Sequence, residues 1–329
     1  MNVAIVGCGL IGQKRATTLG LSRLTVCADN ELPRAEQLAG RYAGCAATAD
    51  WRDAVTRPDV SLAIVATHHD SLAEITRCAI EAGKHVLVEK PAGRCASEIR
   101  ALPALALQKG VLVRVGFNHR YHRAFRQARL IVDSGALGPL MFLRARYGHG
   151  GRIGYEKEWR ATPEVSGGGE LIDQGVHIID LARWFLGDFT EIDGSAHTYY
   201  WNMPVDDNAF MLLKTAQRQV AFLHASSTEW KNTFSFELYG RAGKLHVDGL
   251  GGSYGVERVA FYRMLPEMGP PETTIWEYPM VDNSWEVEMG EFLEDIRLGR
   301  QPAPGLSDAV AALDVVDAIY RGSEYDHRA

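Results

Sequence analysis

Residues 2–12, NVAIVGCGLIG, decide the fold. A β-branched apolar run ends at Gly7 and passes through GxGxxG (Gly7, Gly9, Gly12) into GQKRATTLGL, which has helical character. A strand that enters a helix through glycines at this spacing has the form of a dinucleotide-binding turn. Gly7 permits the tight turn, Gly9 the close approach of a pyrophosphate, and Gly12 the packing of helix on strand. The helix start at Leu10 and Ile11 offers free N–H donors to the phosphates. Asp29 closes the next strand-like run, LTVCAD. A carboxylate there can accept hydrogen bonds from the adenosine ribose and repel a 2′-phosphate, so NAD is expected over NADP. Arg34, close by in sequence, is the feature that argues the other way.

The alternation continues. SLAIVAT, KHVLVEK and VLVRVGFN read as strands, and PRAEQLAGRYA, SLAEITRCAIEAG and SEIRALPALALQKG as helices. Nearly all-apolar strands alternating with helices predict a doubly wound parallel α/β sheet over residues 1–119. After that the pattern changes. PLMFLRARYG, AFMLLKT, QVAFLHASSTEW, TFSFELYG, GKLHVDG, VERVAFYR and TTIWEYPM alternate polar and apolar residues, as antiparallel strands do. AFRQARLIVDSG, ELIDQGVHIIDLARWFLG and two C-terminal segments read as helices. Residues 120–329 are therefore expected to form a second, α+β domain.

Net charge is −6, with the two signs interspersed, which argues against nucleic acid or an anionic membrane as partner. No apolar stretch is long enough to span a bilayer, and the start, MNVAIVGCGL, lacks the features of a signal peptide. A cytoplasmic protein is expected. The five cysteines, odd in number and without a CxxC pair, fit free thiols in a reducing compartment.

Two further stretches carry chemistry. Strand KHVLVEK ends in Glu89-Lys90-Pro91, and ligands bind at the carboxyl ends of such strands. A lysine there can polarise an alcohol oxygen, although a lone lysine is ordinarily just solvated. SGGGELIDQGVHIID (166–180) places Asp173 and His177 four apart, on one helical face, with Asp180 three further on. An imidazole titrates near neutrality and suits proton transfer from a hydroxyl; a lone histidine on such a helix is more often a core residue.

GCGLIG, Asp29, GKHVLVEKP (83–91) and GGGELIDQGVHIID (167–180), in this order and across both halves, resemble the Gfo/Idh/MocA family of glucose–fructose oxidoreductase and inositol dehydrogenase. VDDNAFMLL, ELYGRAGKL and GRQPAPG agree more weakly. The resemblance implies an N-terminal Rossmann domain and a C-terminal α+β domain with a large open, mainly antiparallel sheet through which homodimers or homotetramers form. It implies Lys90, Asp173 and His177 as the catalytic group, with Glu89, Lys90, Thr67 and Asn118 beside the cofactor. The triple glycine would bring the chain close to the nicotinamide. The expected reaction is NAD-dependent hydride transfer to or from a secondary hydroxyl of a sugar, cyclitol or nucleotide-linked sugar. One departure is Thr67-His68-His69-Asp70-Ser71-Leu72, where the family has Thr-Pro-Asn or similar. Those histidines lack a third ligand group of suitable spacing, so no metal is expected.

The loop RARYGHGGRIGYEKEWR (144–160) combines glycines, aromatics and arginines. Stacking rings and arginine forks would suit an anionic or nucleotide-linked sugar, with His149, Arg152, Tyr155 and Trp159 as substrate candidates; a solvated surface loop is an equal reading. Two other functions stay open: an enzyme whose tightly bound cofactor cycles, and a non-catalytic protein that senses nicotinamide or sugar.

Overall fold

The computed structural model describes residues 1–267 and 269–323. The chain divides into two compact units, Met1–Phe117 with Trp285–Leu313, and Asn118–Ser284 with the chain from Asp314. Residues 285–313, expected with the C-terminal domain, thus belong to the first unit.

The first unit holds six strands: β1 (Asn2–Val6), β2 (Arg23–Ala28), β3 (Ala46–Thr48), β4 (Leu62–Val65), β5 (His85–Glu89) and β6 (Val113–Gly116). Their order is β3-β2-β1-β4-β5-β6 and every pair is parallel. This is the doubly wound order, with its switch point between β1 and β4. The sequence shows five of the six strands. β3 escapes it because three residues, AAT, carry no readable pattern. Ile5, Leu24, Leu62 and Leu87 share one buried cluster with Leu38 and with Phe292 of helix Ser284–Leu298. Each such side chain contributes about 2 kcal/mol by leaving water.

Charge also ties that helix down. Arg15, wholly buried, gives its Nε to Glu89 Oε1 at 2.6 Å and its Nη1 to Glu288 Oε2 at 2.5 Å. Arg114 pairs with Asp295 and, at 3.3 Å, with Glu291. Buried charges cost too much to persist unless paired in this way. The expected helix over SEIRALPALALQKG is broken into Ala96–Ile99 and Leu102–Lys109. Pro103 has no N–H to donate and clashes with a preceding turn, so it sits in the first turn of a new helix.

The second unit is built on eight strands: β7 (Leu140–Gly148), β8 (Phe189–His197), β9 (Asn208–Thr215), β10 (Val220–Ser226), β11 (Thr233–Gly240), β12 (Gly243–Asp248), β13 (Glu257–Arg263) and β14 (Glu272–Tyr278). The order is β14-β13-β12-β11-β7-β10-β9-β8; β7 and β10 run parallel and the other pairs antiparallel. β8 was not legible in the sequence because it is an edge strand with one buried residue, Ala196. Alternation sorts the aromatic residues. Phe234 and Phe236 face the core, where Phe125 of helix Arg123–Asp133 packs edge-on at 5.8 and 5.1 Å. Phe142, Phe210 and Phe222 stand on the opposite, exposed face.

Candidate active site

The glycine turn in the first unit has the expected construction. Gly7 has φ +90°, and a Cβ on Gly12 would lie 1.8 Å from the Gly7 carbonyl oxygen. Gly9 differs: a Cβ there would meet nothing within 4 Å, so its outer side is open. No side chain caps helix Leu10–Ala16, Leu10 is exposed and Ile11 half-buried. Asp29 ties the turn to the end of β2, its Oδ2 accepting from Cys8 N at 2.8 Å and its Oδ1 from Glu31 N at 2.9 Å. Open backbone, uncapped N–H groups and an adjacent carboxylate fit the phosphates and ribose of a dinucleotide.

Thr67 follows β4, with its Oγ1 accepting from Ser71 Oγ at 2.9 Å. His68 caps helix His69–Glu81 by backbone geometry and is exposed, while His69 is buried. Glu89 ends β5 in its bond with Arg15, and Lys90 follows, half-buried, with a cis peptide bond to Pro91.

In the second unit the triple glycine is packed closely against protein. Gly167 (φ +77°) closes the turn Pro163–Ser166. A Cβ on Gly168 would lie 2.1 Å from the Tyr320 hydroxyl, and one on Gly169 would lie 1.9 Å from Asp206 O. The close approach found is therefore to protein. Asp206, fully buried, accepts from Gly169 N and Leu171 N at 2.8 Å each and from Tyr320 OH at 2.7 Å. A carboxylate from another part of the chain thus satisfies the donors at the start of the next helical segment. Burial pushes the Asp206 carboxyl up to about 6, against the opposing pull of those three hydrogen bonds.

That segment is not the single α-helix expected. Leu171–Gly175 forms a π-helical turn and Val176–Leu186 the α-helix. Such turns often occur at functional sites, and this one carries Asp173. Asp173 and His177 are both buried. Tyr147 of β7 lies beside both: its ring is 6.3 Å from that of His177, and burial, then Tyr254, then Asp173 and Glu170 push its hydroxyl well above the ordinary range. Asp180 is engaged elsewhere, in a two-pronged bond from Arg120 at 2.6 and 2.7 Å.

Three partners escaped the sequence reading. The His119 ring stacks on His177, with centroids 3.8 Å apart. Arg160, read only as loop charge, gives its Nε to Asp173 Oδ2 at 2.9 Å. Glu170 Oε1 accepts from Tyr155 OH at 2.5 Å and lies 3.3 Å from His149 Nε2. The signal for His119 was its position next to Asn118; for the other two there was none beyond residue type. Asn118 donates to Ser284 Oγ at 3.1 Å and meets His119 Nδ1 at 3.2 Å.

The loop candidates separate. Gly151 N donates to His149 Nδ1 at 2.9 Å, so a neutral ring carries its proton on Nε2, toward Glu170. Tyr155 is buried in a small cluster with Ala161, Met203 and Val205. Arg152 is largely exposed and paired with Glu158 at 2.7 Å. Trp159 lies under the Arg160 guanidinium, 4.6 Å from its ring centroid.

Comparison with known proteins agrees with this construction. Residues 1–117 match the model of an oxidoreductase family with an NAD-binding Rossmann fold, and residues 125–246 that of the GFO/IDH/MocA C-terminal domain. The chain belongs to the GFO/IDH/MocA oxidoreductase family, and it is an NAD-dependent oxidoreductase. It is 26% identical to levoglucosan dehydrogenase of Pseudarthrobacter phenanthrenivorans over 285 residues, covering 74% of this chain and 73% of that one. It is 28% identical to dTDP-3,4-didehydro-2,6-dideoxy-alpha-D-glucose 3-reductase of Saccharopolyspora spinosa, covering 75% and 74%. The structure of levoglucosan dehydrogenase in complex with NADH superposes with a TM-score of 0.89 at 24% identity, covering 99% of this chain and 97% of that one, and speaks to the fold.

Proposed function

We propose that the enzyme moves a hydride between NAD and a secondary hydroxyl of a neutral sugar or cyclitol. NAD, when bound, supplies the hydride acceptor. Residues 1–119 hold it through Gly7, Gly9, Gly12 and Asp29, and the C-terminal domain receives the sugar. The Lys90 ammonium holds the reacting oxygen, the His177 imidazole takes the proton that leaves it, and Asp173 orients a neighbouring hydroxyl. Asn118 stands at the nicotinamide side.

The observation that carries the choice of a neutral substrate is charge pairing in the loop. Arg152 is taken by Glu158, Arg160 by Asp173, and Arg146 lies 3.7 Å from Glu229. An anion would have to compete with a carboxylate already beside each guanidinium, and the Arg152–Glu158 pair is two-pronged, at 2.7 and 2.8 Å. The named activity of the dTDP-sugar reductase favours a second reading, a nucleotide-linked sugar.

The exposed face of the second sheet supports a homodimer, since Phe142, Phe210, Leu212 and Phe222 together form an apolar patch that water does not favour. Among the described residues no helix is long and apolar enough to cross a membrane. We place the protein in the cytoplasm, where five unlinked thiols persist. Turnover with NAD should be measured against neutral sugars and inositols and, separately, against sugar acids and nucleotide-linked sugars. Activity confined to the second group would overturn the neutral assignment.

A further inference from the structure

Three of the five cysteines converge at one edge of the first sheet. Cys27 lies on β2, two residues before Asp29, and is fully buried. Cys45 immediately precedes β3 and is half-buried. Their Sγ atoms are 3.7 Å apart. Cys8, between Gly7 and Gly9, points its Sγ at Ala28 O at 3.4 Å and shares a buried cluster with Cys27. β3 is the edge strand, three residues long and paired on one side alone, so little structure resists a small shift of Cys45.

We infer that Cys27 and Cys45 form a peroxide-reactive dithiol that closes to a disulfide beside the cofactor turn and weakens NADH binding.

The two thiols have different surroundings and so different tasks. Cys45 is the accessible one. The hydrogen bond with Cys27 draws its thiol below the ordinary range, against burial, and Arg57 and Arg23 add to the effect. Arg23 is close at hand: a Cβ on Gly44 would lie 2.8 Å from its Nη2. Cys27 shows the opposite shift, led by its bond to Cys45. Cys45 is therefore the thiolate that attacks, and Cys27 the thiol that resolves. In the first step the Cys45 thiolate takes one oxygen from hydrogen peroxide, giving a sulfenic acid and hydroxide. In the second, Cys27 Sγ attacks Cys45 Sγ; the S–S bond forms, the S–O bond breaks, and the Cys27 proton leaves with the hydroxyl as water. Peroxide is the two-electron oxidant and both sulfurs are oxidised.

Closing a 3.7 Å contact to an S–S bond of about 2.05 Å must move β2 or the segment before β3. Asp29 N donates to Thr48 O at the end of β3, and Asp29 Oδ2 holds Cys8 N, so such a shift reaches the ribose carboxylate and the glycine turn together. The effect on NADH rests on the assignment of Asp29 to the adenosine ribose; the formation of the bond does not.

The test treats the intact enzyme with hydrogen peroxide and digests it with trypsin without reduction. Cys27 falls in peptide 24–34 and Cys45 in peptide 42–52. The expected product is these two peptides linked, about 2 Da lighter than their sum, and released by dithiothreitol. NADH titration by fluorescence should then show a Kd raised about threefold or more, restored by dithiothreitol and absent in Cys45→Ser and Cys45→Ala. Absence of the linked pair, or Cys45 recovered only as sulfinic acid, overturns the site. A linked pair with unaltered Kd overturns its coupling to the cofactor. Failure of the reduced enzyme to bind NADH would count against the cofactor assignment, which the peptide map does not depend on.

Discussion

The His119 and His177 rings lie face to face, their planes 19° apart and their centroids 3.8 Å apart, although 58 positions separate them in the chain. Stacking fixes the plane of the imidazole assigned to proton transfer, and Asn118 fixes His119 in turn. His177→Ala should lower kcat about 10²–10⁴-fold, with NADH Kd unchanged within about twofold. His119→Ala should lower kcat about tenfold by loosening the ring, since small misplacements are costly. His119→Phe should recover most of that loss. Steady-state kinetics decide it, and wild-type kcat in His119→Ala would remove the stack from the mechanism.

Arg160 and Asp173 act as one unit if the short Nε–Oδ2 bond orients the carboxylate. Asp173→Asn should cost kcat/KM more than Arg160→Gln does, and the double variant should be little worse than Asp173→Asn. The coupling expected from a double-mutant cycle is about 1–2 kcal/mol. Strict additivity would show that the pair does not cooperate.

Asp29 braces the turn and is the carboxylate proposed for the ribose. Asp29→Ala should raise NADH Kd about tenfold, equivalent to about 1.4 kcal/mol. Its preference for NAD over NADP should narrow as the repulsive charge is removed. Fluorescence titration with both reduced cofactors measures this. An unchanged ratio would mean that discrimination lies elsewhere.

Asp206 links folding to pH. Its folded value near 6 stands above the ordinary 3.8, so the folded chain holds this proton more tightly than the unfolded chain does. The stability it contributes is complete below about pH 3.8 and drains away as pH rises through 6. Asp206→Asn cannot titrate, and its amide would face an N–H donor. The variant should be less stable by about 1–3 kcal/mol. Its urea midpoint should also fall less between pH 4.5 and 7 than that of the wild type. Parallel pH profiles would exclude the linkage.

Phe222 is about half exposed in the centre of the apolar patch, opposite Leu212 on β9 and Arg144 on β7. Phe222→Glu should give a folded monomer where the wild type gives a dimer, read by light scattering after size exclusion. A monomeric wild type would set the proposed interface aside.

The doubly wound sheet was legible because its signals are local. A glycine turn, four more apolar runs and the helices between them each declare themselves within about ten residues. Failures of the same reading are also local in cause. β3 is too short for a period, β8 is an edge strand with one buried residue, and Pro103 splits a helix whose apolar pattern runs through it.

The candidate site divides the same way. Lys90, Asp173 and His177 stand out as candidates in the sequence because motifs mark them. His119, Arg160 and Glu170 were not recognised, because their roles lie in contacts and not in spacing. The loop arginines looked like an anion clamp in the sequence; in the structure each faces an acid.

The sequence by itself determined the Rossmann half and its glycine turn and marked the candidate side chains, since backbone preference and hydrophobic period act between near neighbours. Only tertiary structure decided that residues 285–313 join the first unit, and that the triple glycine clears space for Tyr320 and Asp206. It alone brought Cys45 against Cys27. Those outcomes depend on which distant surfaces meet, through burial and charge pairing across the fold, and no window along the chain contains both partners.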